Sequence, residues 1–301
     1  MKMTLYDFLD KAQGRMVRDF NKALGLRPVS DPYVSGDSLR ALADHCFEEG
    51  ERFNATLVSE GDVVFVKSDK LPRFFESILP QIRSRFVLIS HNSDQNVDDT
   101  LLRFADDEHI GHWFAQNLVA AHPKVEAIPI GLENRWLHAN GTTVDFDRLR
   151  AHPVTKDKWI LYAFSLGTNP AERGPALEAL KSCLLADGPR WTISAKYRET
   201  LASYRFVASP PGNGFDCHRT WEALYLGTIP IVKRAAFFDA FPKLPALFVD
   251  DWKEAMDWDK EFLLQAYDRL SSKIGSCPYL WMDYWKGKIE EQRKASRRPQ
   301  E

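Results

Sequence analysis

Long apolar runs and an excess of one charge are both missing from this 301-residue sequence. No stretch of about twenty consecutive apolar residues is present to span a bilayer, and the N-terminus lacks the apolar core of a signal peptide. Forty basic residues nearly balance forty-two acidic ones, which argues against a nucleic acid or a strongly acidic partner. These absences predict a soluble protein.

Cysteine pairs are also missing. The four cysteines lie far apart and no two of them form a CxxC motif: Cys46, Cys183, Cys217 and Cys277. Such spacing argues against a structural zinc site and favours reduced thiols in a cytoplasmic protein.

Short apolar segments alternate with helical patterns along most of the chain. This alternation is typical of an α/β fold with parallel strands. The length allows one large domain or two of about 150 residues. The predicted strands are 63–66, 86–89, 110–115, 125–130, 159–164, 204–209, 229–232 and 246–249.

A polar stretch at 140–157 is the predicted domain boundary. It separates a first domain, residues 1–150, from a second, residues 151–285, and a charged tail at 286–301 follows. Near the start of the first domain, Asp37 or Ser38 is the predicted N-cap of a helix that reaches about Glu49.

The stretch 204–234 organises the rest of the chain, because it reads as strand, glycine loop, helix and strand. Such a βαβ unit favours parallel pairing, and ligands of these sheets bind at the carboxyl ends of the strands. The glycines of the loop let backbone N–H groups approach an anion at the start of the helix. Arg219 adds a charge suited to phosphate, and Glu222, one turn later, could accept hydrogen bonds from a ribose diol.

Each residue of this stretch also has a simpler explanation. The loop could be an ordinary tight turn, Asp216 an ordinary N-cap, and Arg219 and Glu222 a solvated pair on one helix face. The combination of all these features between two apolar strands favours the nucleotide pocket.

The sequence of this stretch resembles the donor-binding segment of exostosin-like glycosyltransferases. More broadly it is similar to the C-terminal half of GT-B enzymes, over about thirty residues. The resemblance is carried by Ser209-Pro210, Gly212-Asn213-Gly214, Asp216-Cys217-His218-Arg219, Trp221-Glu222-Ala223-Leu224 and Gly227-Thr228-Ile229-Pro230-Ile231-Val232. It implies two Rossmann-like α/β domains facing a cleft, with a C-terminal helix that crosses back to the first domain.

The second domain would then hold the nucleotide sugar. The loop 165–170 mirrors the glycine loop and precedes another helix, so Arg173 is predicted either to contact the diphosphate or to pair with a surface carboxylate. Asp216 and His218 are predicted as caps or as neighbours of the nucleotide. The predicted nucleotide-binding residues are Thr168, Asn169, Arg173, Pro211, Gly212, Asn213, Gly214, Asp216, His218, Arg219 and Glu222.

The first domain would present the acceptor and the general base that inversion at the anomeric carbon requires. Asp94 is the first candidate because it belongs to a dense polar group just after a predicted strand, and His91 is the second. His91 could instead be bonded to backbone. Glu133 is the third candidate, and it could instead pair with Arg135 or contact the acceptor.

No metal is expected to be required. Asp145-Phe146-Asp147 and Asp257-Trp258-Asp259 match the D-x-D pattern of metal-dependent GT-A enzymes, but neither follows a convincing buried strand. Two arginines and two helix ends are enough to neutralise a diphosphate.

Apolar residues recur at helical spacing between residues 3 and 24, with lysines and arginines on the remaining surface. Such a helix could pack on its own domain or lie on an anionic membrane, which would suit a lipid-linked saccharide acceptor.

The leading hypothesis is thus a glycosyltransferase that moves a sugar from a nucleoside diphosphate to a saccharide hydroxyl in glycan or polysaccharide synthesis. The resemblance implies UDP as carrier, and GDP remains open. The alternatives are a non-catalytic nucleotide- or glycan-binding partner of an active transferase, and a metal-dependent GT-A transferase.

Overall fold

Two separate parallel β-sheets organise the chain in the computed structural model, which describes residues 5–50, 52–137, 141–188 and 194–297. In the first sheet the strands follow one another in chain order and every pair is parallel. Its strands are β1 (His45–Phe47), β2 (Val63–Lys67), β3 (Phe86–His91), β4 (Ile110–Ala115) and β5 (Val125–Ala127).

The second sheet is also parallel, but its strand order, β10-β9-β8-β6-β7, differs from the order in the chain. Its strands are β6 (Lys158–Leu161), β7 (Ala186–Asp187), β8 (Tyr204–Ala208), β9 (Ile229–Lys233) and β10 (Leu247–Val249). The strands in the middle of both sheets are almost wholly apolar, as expected where helices cover both faces of a parallel sheet.

Helices connect and cover these strands. They are α1 (Leu5–Ala23), α2 (Gly36–Arg40), α3 (Leu71–Arg73), α4 (Asp99–Leu102), α5 (Val144–Ala151), α6 (Pro170–Ser182), α7 (Ser194–Ala202), α8 (His218–Tyr225), α9 (Ala236–Asp239), α10 (Lys260–Ser271) and α11 (Met282–Ser296). No helix in the described part of the chain is both long and apolar enough to cross a membrane.

The predicted fold class is confirmed. Two α/β domains face each other, and α11 returns from the second domain to pack on β3 and β4 of the first. The GT-A alternative is wrong as a fold, because the described residues form two sheets rather than one. The eight predicted strands all exist, with ends shifted by a few residues.

The helix predicted from Asp37 or Ser38 to Glu49 is wrong. The N-cap is Ser35, and α2 ends at Arg40. Residues 45–47 then form β1, whose backbone pairs with Val64–Val66 of β2. Pairing at the edge of a sheet therefore overrides a local pattern that is compatible with a helix.

The charged tail predicted to begin at residue 286 is helical up to Ser296. Trp285 and Ile289 are buried, which places one apolar face of α11 against the first sheet while its charged residues face outward. The last residues of the tail, 298–301, lie outside the described residues, as does Asn140 in the predicted boundary.

In the N-terminal helix α1, Gly14 is buried. Asn21 of the same helix donates to the carbonyl of Trp136, at 3.4 Å. Met16 and Phe20 of α1 and Leu24, directly after it, lie four residues apart and are 73%, 61% and 57% exposed. The helix therefore presents an apolar stripe to solvent.

Both D-x-D motifs are occupied by internal contacts. Asp145 pairs with Arg198 at 2.8 Å, and Asp147 accepts a hydrogen bond from Tyr33. Asp259 caps the N-terminus of α10, and Asp257 ends the preceding 3-10 turn. These carboxylates stabilise local structure and the contacts between helices.

The two domains are joined through the buried carboxylate of Asp216. Its Oδ2 accepts the backbone N–H of Ile130 at 2.7 Å, and its Oδ1 accepts the indole N–H of Trp221 at 2.8 Å. Its own backbone N–H donates to Oδ1 of Asn117 at 3.0 Å. Burial raises the pKa of Asp216 to about 7, although these donors and the nearby His218 oppose the shift. Ile130 and Asn117 belong to the first domain, so this residue bridges the two.

We expect the Asp216→Asn substitution to destabilise the protein. An amide has a single accepting oxygen, so its NH2 group would face either the Ile130 N–H or the Trp221 N–H and leave that donor unpaired. An unpaired buried donor costs about 1–3 kcal/mol. Thermal melts at pH 5, below the raised pKa of Asp216, compare two uncharged side chains and should show a lower Tm than wild type, because the amide NH2 cannot accept either N–H. Asp250→Asn, at an exposed site paired with Arg234, is the matched control, and an equal loss there would contradict the bridging role.

Candidate functional site

A cavity of about 630 Å³ lies between the two domains, at the carboxyl ends of the strands of the second sheet. Residues of both domains line it: Asp94, Ile130, Glu133, Tyr162, Ala163, Phe164, Thr168, Arg173, Leu177, Gly188, Tyr197, Arg198, Thr200, Gly212, Asn213, Gly214, Asp216, Cys217, His218, Arg219 and Glu222. Nine of the predicted nucleotide-binding residues are in this set. Asn169 and Pro211 are not.

Two loops form the floor of this cavity, and side chains tie them together. Asn169 caps α6 with its Oδ1 and donates from Nδ2 to the Gly212 carbonyl at 2.8 Å. Arg173, in the first turn of α6, donates to the carbonyls of Pro211 at 2.9 Å and Ser165 at 2.8 Å. Asn169 and Pro211 therefore act on the loops rather than on the cavity itself.

Glycine fits closely where the second loop meets its neighbours. A Cβ at Gly214 would lie 2.6 Å from Nδ2 of Asn117, so the Asn117 side chain would have to shift, and one at Gly212 would lie 3.1 Å from Nη2 of Arg173. Without a Cβ the loop approaches both side chains in their present positions. The glycines of this motif therefore allow close packing.

Arg219 is a lining cation with unused hydrogen-bonding capacity. Its Nε and Nη1 are buried without a hydrogen-bond partner, and its guanidinium lies 5.8 Å from the ring centre of Phe164. The structure gives neither Arg219 nor Arg173 a salt bridge to a carboxylate in the described part of the chain, although Glu222 lies close enough to Arg219 to feel its charge. Buried donors without partners are rare in folded proteins, and such donors on a cation favour an anionic ligand.

The N-terminus of α8 adds to this positive region. The N-cap residue Cys217 makes no side-chain capping bond, so the first turn has no side-chain acceptor. The unpaired N–H groups at a helix start carry partial positive charge. His218 and Arg219 occupy this same turn.

Glu222 lies one turn deeper and is 9% exposed. Burial raises its pKa, and the nearby Arg198, His218 and Arg219 act in the opposite direction. Arg198, itself buried, is held by the ion pair with Asp145. Glu222 therefore provides a carboxyl group in the wall of the cavity, where a hydroxyl-bearing ligand can reach it.

A second cavity of about 420 Å³ continues into the first domain. The two cavities share four lining residues, Asp94, Ile130, Glu133 and His218. Asp94 is exposed and accepts a hydrogen bond from Asn213 of the glycine loop at 3.0 Å. Two of the predicted base candidates thus lie on the border between the cavities.

His218 connects the border to the first domain. Its Nδ1 donates to the Gly131 carbonyl at 2.8 Å, and its Nε2 lies 3.7 Å from Oε1 of Glu133. Burial alone would lower the pKa of His218, but Glu133, the Gly131 carbonyl and Glu222 outweigh it and raise the pKa above its ordinary value. The charged form of this imidazole is therefore favoured more than in a free histidine. Arg135 donates to the Val29 carbonyl instead of pairing with Glu133.

His91 lines only the second cavity and both of its ring nitrogens are engaged. Nε2 donates to the Pro129 carbonyl at 3.1 Å, and Nδ1 accepts the backbone N–H of Asn92 at 2.8 Å. Burial lowers the pKa of His91 to about 4. This arrangement is the backbone-bonded alternative of the sequence analysis.

Several lining residues were not predicted from the sequence. Tyr162, Phe164 and Leu177 supply the apolar wall, while Tyr197 and Arg198 come from α7. In the sequence, aromatic and apolar residues on strands and helices are predicted to be core residues. Only the three-dimensional structure shows that these ones line the cavity. Asn117 lines neither cavity but bonds the backbone of Asp216, and the sequence offers one signal for it, since it follows a predicted strand as Asp94 does.

Comparison with known proteins gives distant likenesses. No protein-family model matches the chain, and no curated protein matches it. Among solved structures it is similar to the spinosyn rhamnosyltransferase SpnG, at 12% identity and a TM-score of 0.39 over 71% of this chain and 69% of that one. The GtfA/B complex matches at 12% identity and 0.37, over 82% and 64%.

Pneumococcal O-GlcNAc transferase GtfA in complex with UDP and GlcNAc matches at 12% identity and a TM-score of 0.33, over 80% of this chain and 53% of that one. The chain therefore spans less than two thirds of the length of two of these three structures. At these values the likenesses carry no argument about the site.

We expect Arg219→Ala to weaken nucleotide binding by about 10- to 100-fold, because a hydrogen bond between charged groups is worth about 1.5–3 kcal/mol. Titration calorimetry with UDP and GDP measures the loss and also identifies the preferred base. Arg234→Ala is the matched control, since that arginine is exposed and paired with Asp250. Unchanged affinity in Arg219→Ala would show that the guanidinium does not face the nucleotide.

Proposed function

We propose that this protein is a glycosyltransferase that uses a nucleoside-diphosphate sugar as donor and a saccharide hydroxyl as acceptor. The observation that carries this proposal is the pair of buried nitrogens of Arg219, Nε and Nη1, that lack hydrogen-bond partners at the start of α8, inside a cleft between two α/β domains. A diphosphate supplies the negative charge and the acceptor oxygens that this guanidinium lacks. The exostosin-like motif favours UDP as the nucleoside carrier.

In this proposal different residues of the second domain bind different parts of the nucleotide sugar. Arg219 and the start of α8 bind the diphosphate, with Arg173 fixing the two loops below it. Glu222 accepts hydrogen bonds from the ribose diol, and the aromatic wall at Tyr162 and Phe164 borders the nucleobase. The cavity volume of about 630 Å³ falls within the range of about 300–1,000 Å³ typical of small-molecule sites.

The proposed reaction is a single displacement with inversion. The oxygen of the acceptor hydroxyl forms a bond to the anomeric carbon while the bond from that carbon to the diphosphate breaks. A carboxylate on the border of the two cavities, Asp94 or Glu133, takes the hydroxyl proton. His218, beside Glu133, can donate a hydrogen bond near the leaving diphosphate, and its raised pKa favours the charged form there. His91 then orients the Pro129 and Asn92 backbone rather than acting as the base.

Substitution of the two border carboxylates tests the catalytic half of the proposal. Asp94→Asn and Glu133→Gln keep the shape of each side chain and remove its basicity. Loss of the base should lower kcat by about 10²–10⁴-fold, with nucleotide affinity within about twofold of wild type. Product formation is followed by released nucleoside diphosphate. Glu178→Gln on α6, outside both cavities, is the control.

A carboxylate whose replacement leaves turnover intact is not the base. If the wild-type protein neither transfers a sugar nor slowly hydrolyses any of the UDP- or GDP-sugars that bind it, the alternative of a non-catalytic nucleotide- or glycan-binding partner is favoured instead.

We also propose that the transfer needs no metal ion, because two arginines, His218 and a helix N-terminus are available to neutralise the diphosphate. Turnover should survive an excess of EDTA. Complete loss of turnover that manganese restores would contradict this proposal. The experiment requires protein purified without a metal-affinity step, so that the starting metal content is known.

Peripheral contact with a membrane is the third element of the proposal. The exposed stripe of Met16, Phe20 and Leu24 and the exposed basic residues Arg15 and Lys22 form an amphipathic surface. Such helices bind anionic bilayers through apolar insertion and charge attraction. The wild-type protein should co-sediment with vesicles of phosphatidylglycerol, and a Met16→Ser, Phe20→Ser variant should remain in the supernatant. Equal sedimentation of the wild type and the variant would show that α1 does not make the membrane contact.

A further inference from the structure

The second cavity, on the first-domain side of the border residues, has the features of a carbohydrate site. Its lining combines polar side chains, one indole ring and three apolar residues (Ile130, Leu132 and Leu137), and the buried Oε1 of Gln116 and Nε1 of Trp136 have no hydrogen-bond partner. We propose that this cavity binds the acceptor as an uncharged saccharide and excludes uronic acids and other anionic sugars. The role as acceptor site rests on the proposed function, whereas the binding of an uncharged saccharide can be measured without a nucleotide.

Gln116 supplies the strongest observation. It follows β4 directly, and its side chain is 1% exposed. Its Oε1 has no hydrogen-bond partner although the residue lines the cavity. A buried amide oxygen without a donor costs about 1–3 kcal/mol, and an incoming hydroxyl group would remove that cost.

Trp136 extends the same pattern. The indole N–H of Trp136 is buried without an acceptor, and one face of its ring lies 4.9 Å from the guanidinium of Arg27. Asn92 has a positive φ of 63°; its Oδ1 accepts the amide of Asn134 at 2.9 Å, and its side chain also bonds to the carboxylate of Asp37. Asparagine tolerates this conformation better than most residues, and such backbone often occurs at binding sites. The lining residues thus include one unpaired donor and one unpaired acceptor, which matches the mixed capacity of sugar hydroxyls.

The charges of the lining exclude an anionic ligand. Arg27 lies within 3.4 Å of Asp37 and 3.6 Å of Glu48, and Lys67 pairs with Glu49 at 2.9 Å. Each of these lining cations is therefore already matched by a carboxylate. His91 is neutral because burial holds its pKa at about 4.

The border adds negative charge. Asp94 and Glu133 both face the cavity, and of the two only Glu133 lies near a positively charged group, His218 at 3.7 Å. A carboxylated sugar would meet these groups without finding a free cation, and like charges in a poorly hydrated site repel each other. A neutral saccharide avoids this repulsion and places a hydroxyl beside the border carboxylates.

Ligand-observed NMR on the full chain tests the inference without nucleotide. The neutral probes are the methyl glycosides of glucose, galactose, mannose and N-acetylglucosamine, and the anionic probes are the methyl glycosides of glucuronic and galacturonic acid. At least one neutral glycoside should bind, with its uronic counterpart bound about tenfold more weakly or worse. Equal or tighter binding of the uronic acids, or no binding of any neutral probe, would overturn the inference.

Two variants locate the binding. Gln116→Leu removes the amide at nearly constant volume and should weaken binding of the neutral glycoside about three- to tenfold. The Tm should be unchanged or raised, because Oε1 has no hydrogen-bond partner in the protein to lose. Trp136→Phe keeps an aromatic ring, removes only the N–H, and should weaken binding by a similar factor. Gln265→Leu, on the exposed face of α10, is the control. Unchanged binding in both cavity variants would contradict the location.

Failure of this inference can be distinguished from failure of the proposed function, because glycoside binding and nucleotide binding are measured separately. Nucleotide binding without glycoside binding would overturn this inference and leave the donor site in place. Glycoside binding without any nucleotide binding would overturn the transferase and leave a neutral-saccharide site on the first domain.

Discussion

The carboxylate of Asp216 is the contact on which the rest of the site depends. It is 4% exposed and satisfies one backbone donor of the first domain and one indole donor of the second. Because a buried carboxylate is costly unless it is fully bonded, this arrangement fixes the two domains relative to each other. Both cavities lie in the cleft beside this contact.

Two arginines of the same cavity illustrate why charge alone does not define a ligand contact. Arg173 donates hydrogen bonds to two loop carbonyls, at 2.9 and 2.8 Å, and so holds two segments together. Arg219 keeps two buried N–H groups without acceptors. Their sequence contexts are nearly equivalent, since each lies in the first turn of a helix behind a loop. The difference in hydrogen bonding assigns the first to architecture and the second to the ligand.

Much of the fold could be predicted from the sequence, because buried parallel strands are short apolar runs with polar ends. The strands β1 and β7 were missed because they are short edge strands with mixed polarity, whose pairing is decided by neighbours distant in sequence. In the site, the motif residues Arg219 and Glu222 could be found from spacing. The bridging role of Asp216 could not, because its partner Ile130 lies 86 residues away and the local pattern is equally that of an N-cap.

The position of the border carboxylates follows from contacts between the domains. Asp94 is bonded to Asn213, and Glu133 faces His218, whose ring is anchored on the Gly131 carbonyl. The groups proposed to bind the nucleotide belong to the second domain alone, whereas the alignment of either carboxylate with the donor requires both domains. Weakening of the interdomain contact is therefore expected to lower turnover more than nucleotide affinity. Equal losses in both would mean that the donor site itself depends on the first domain.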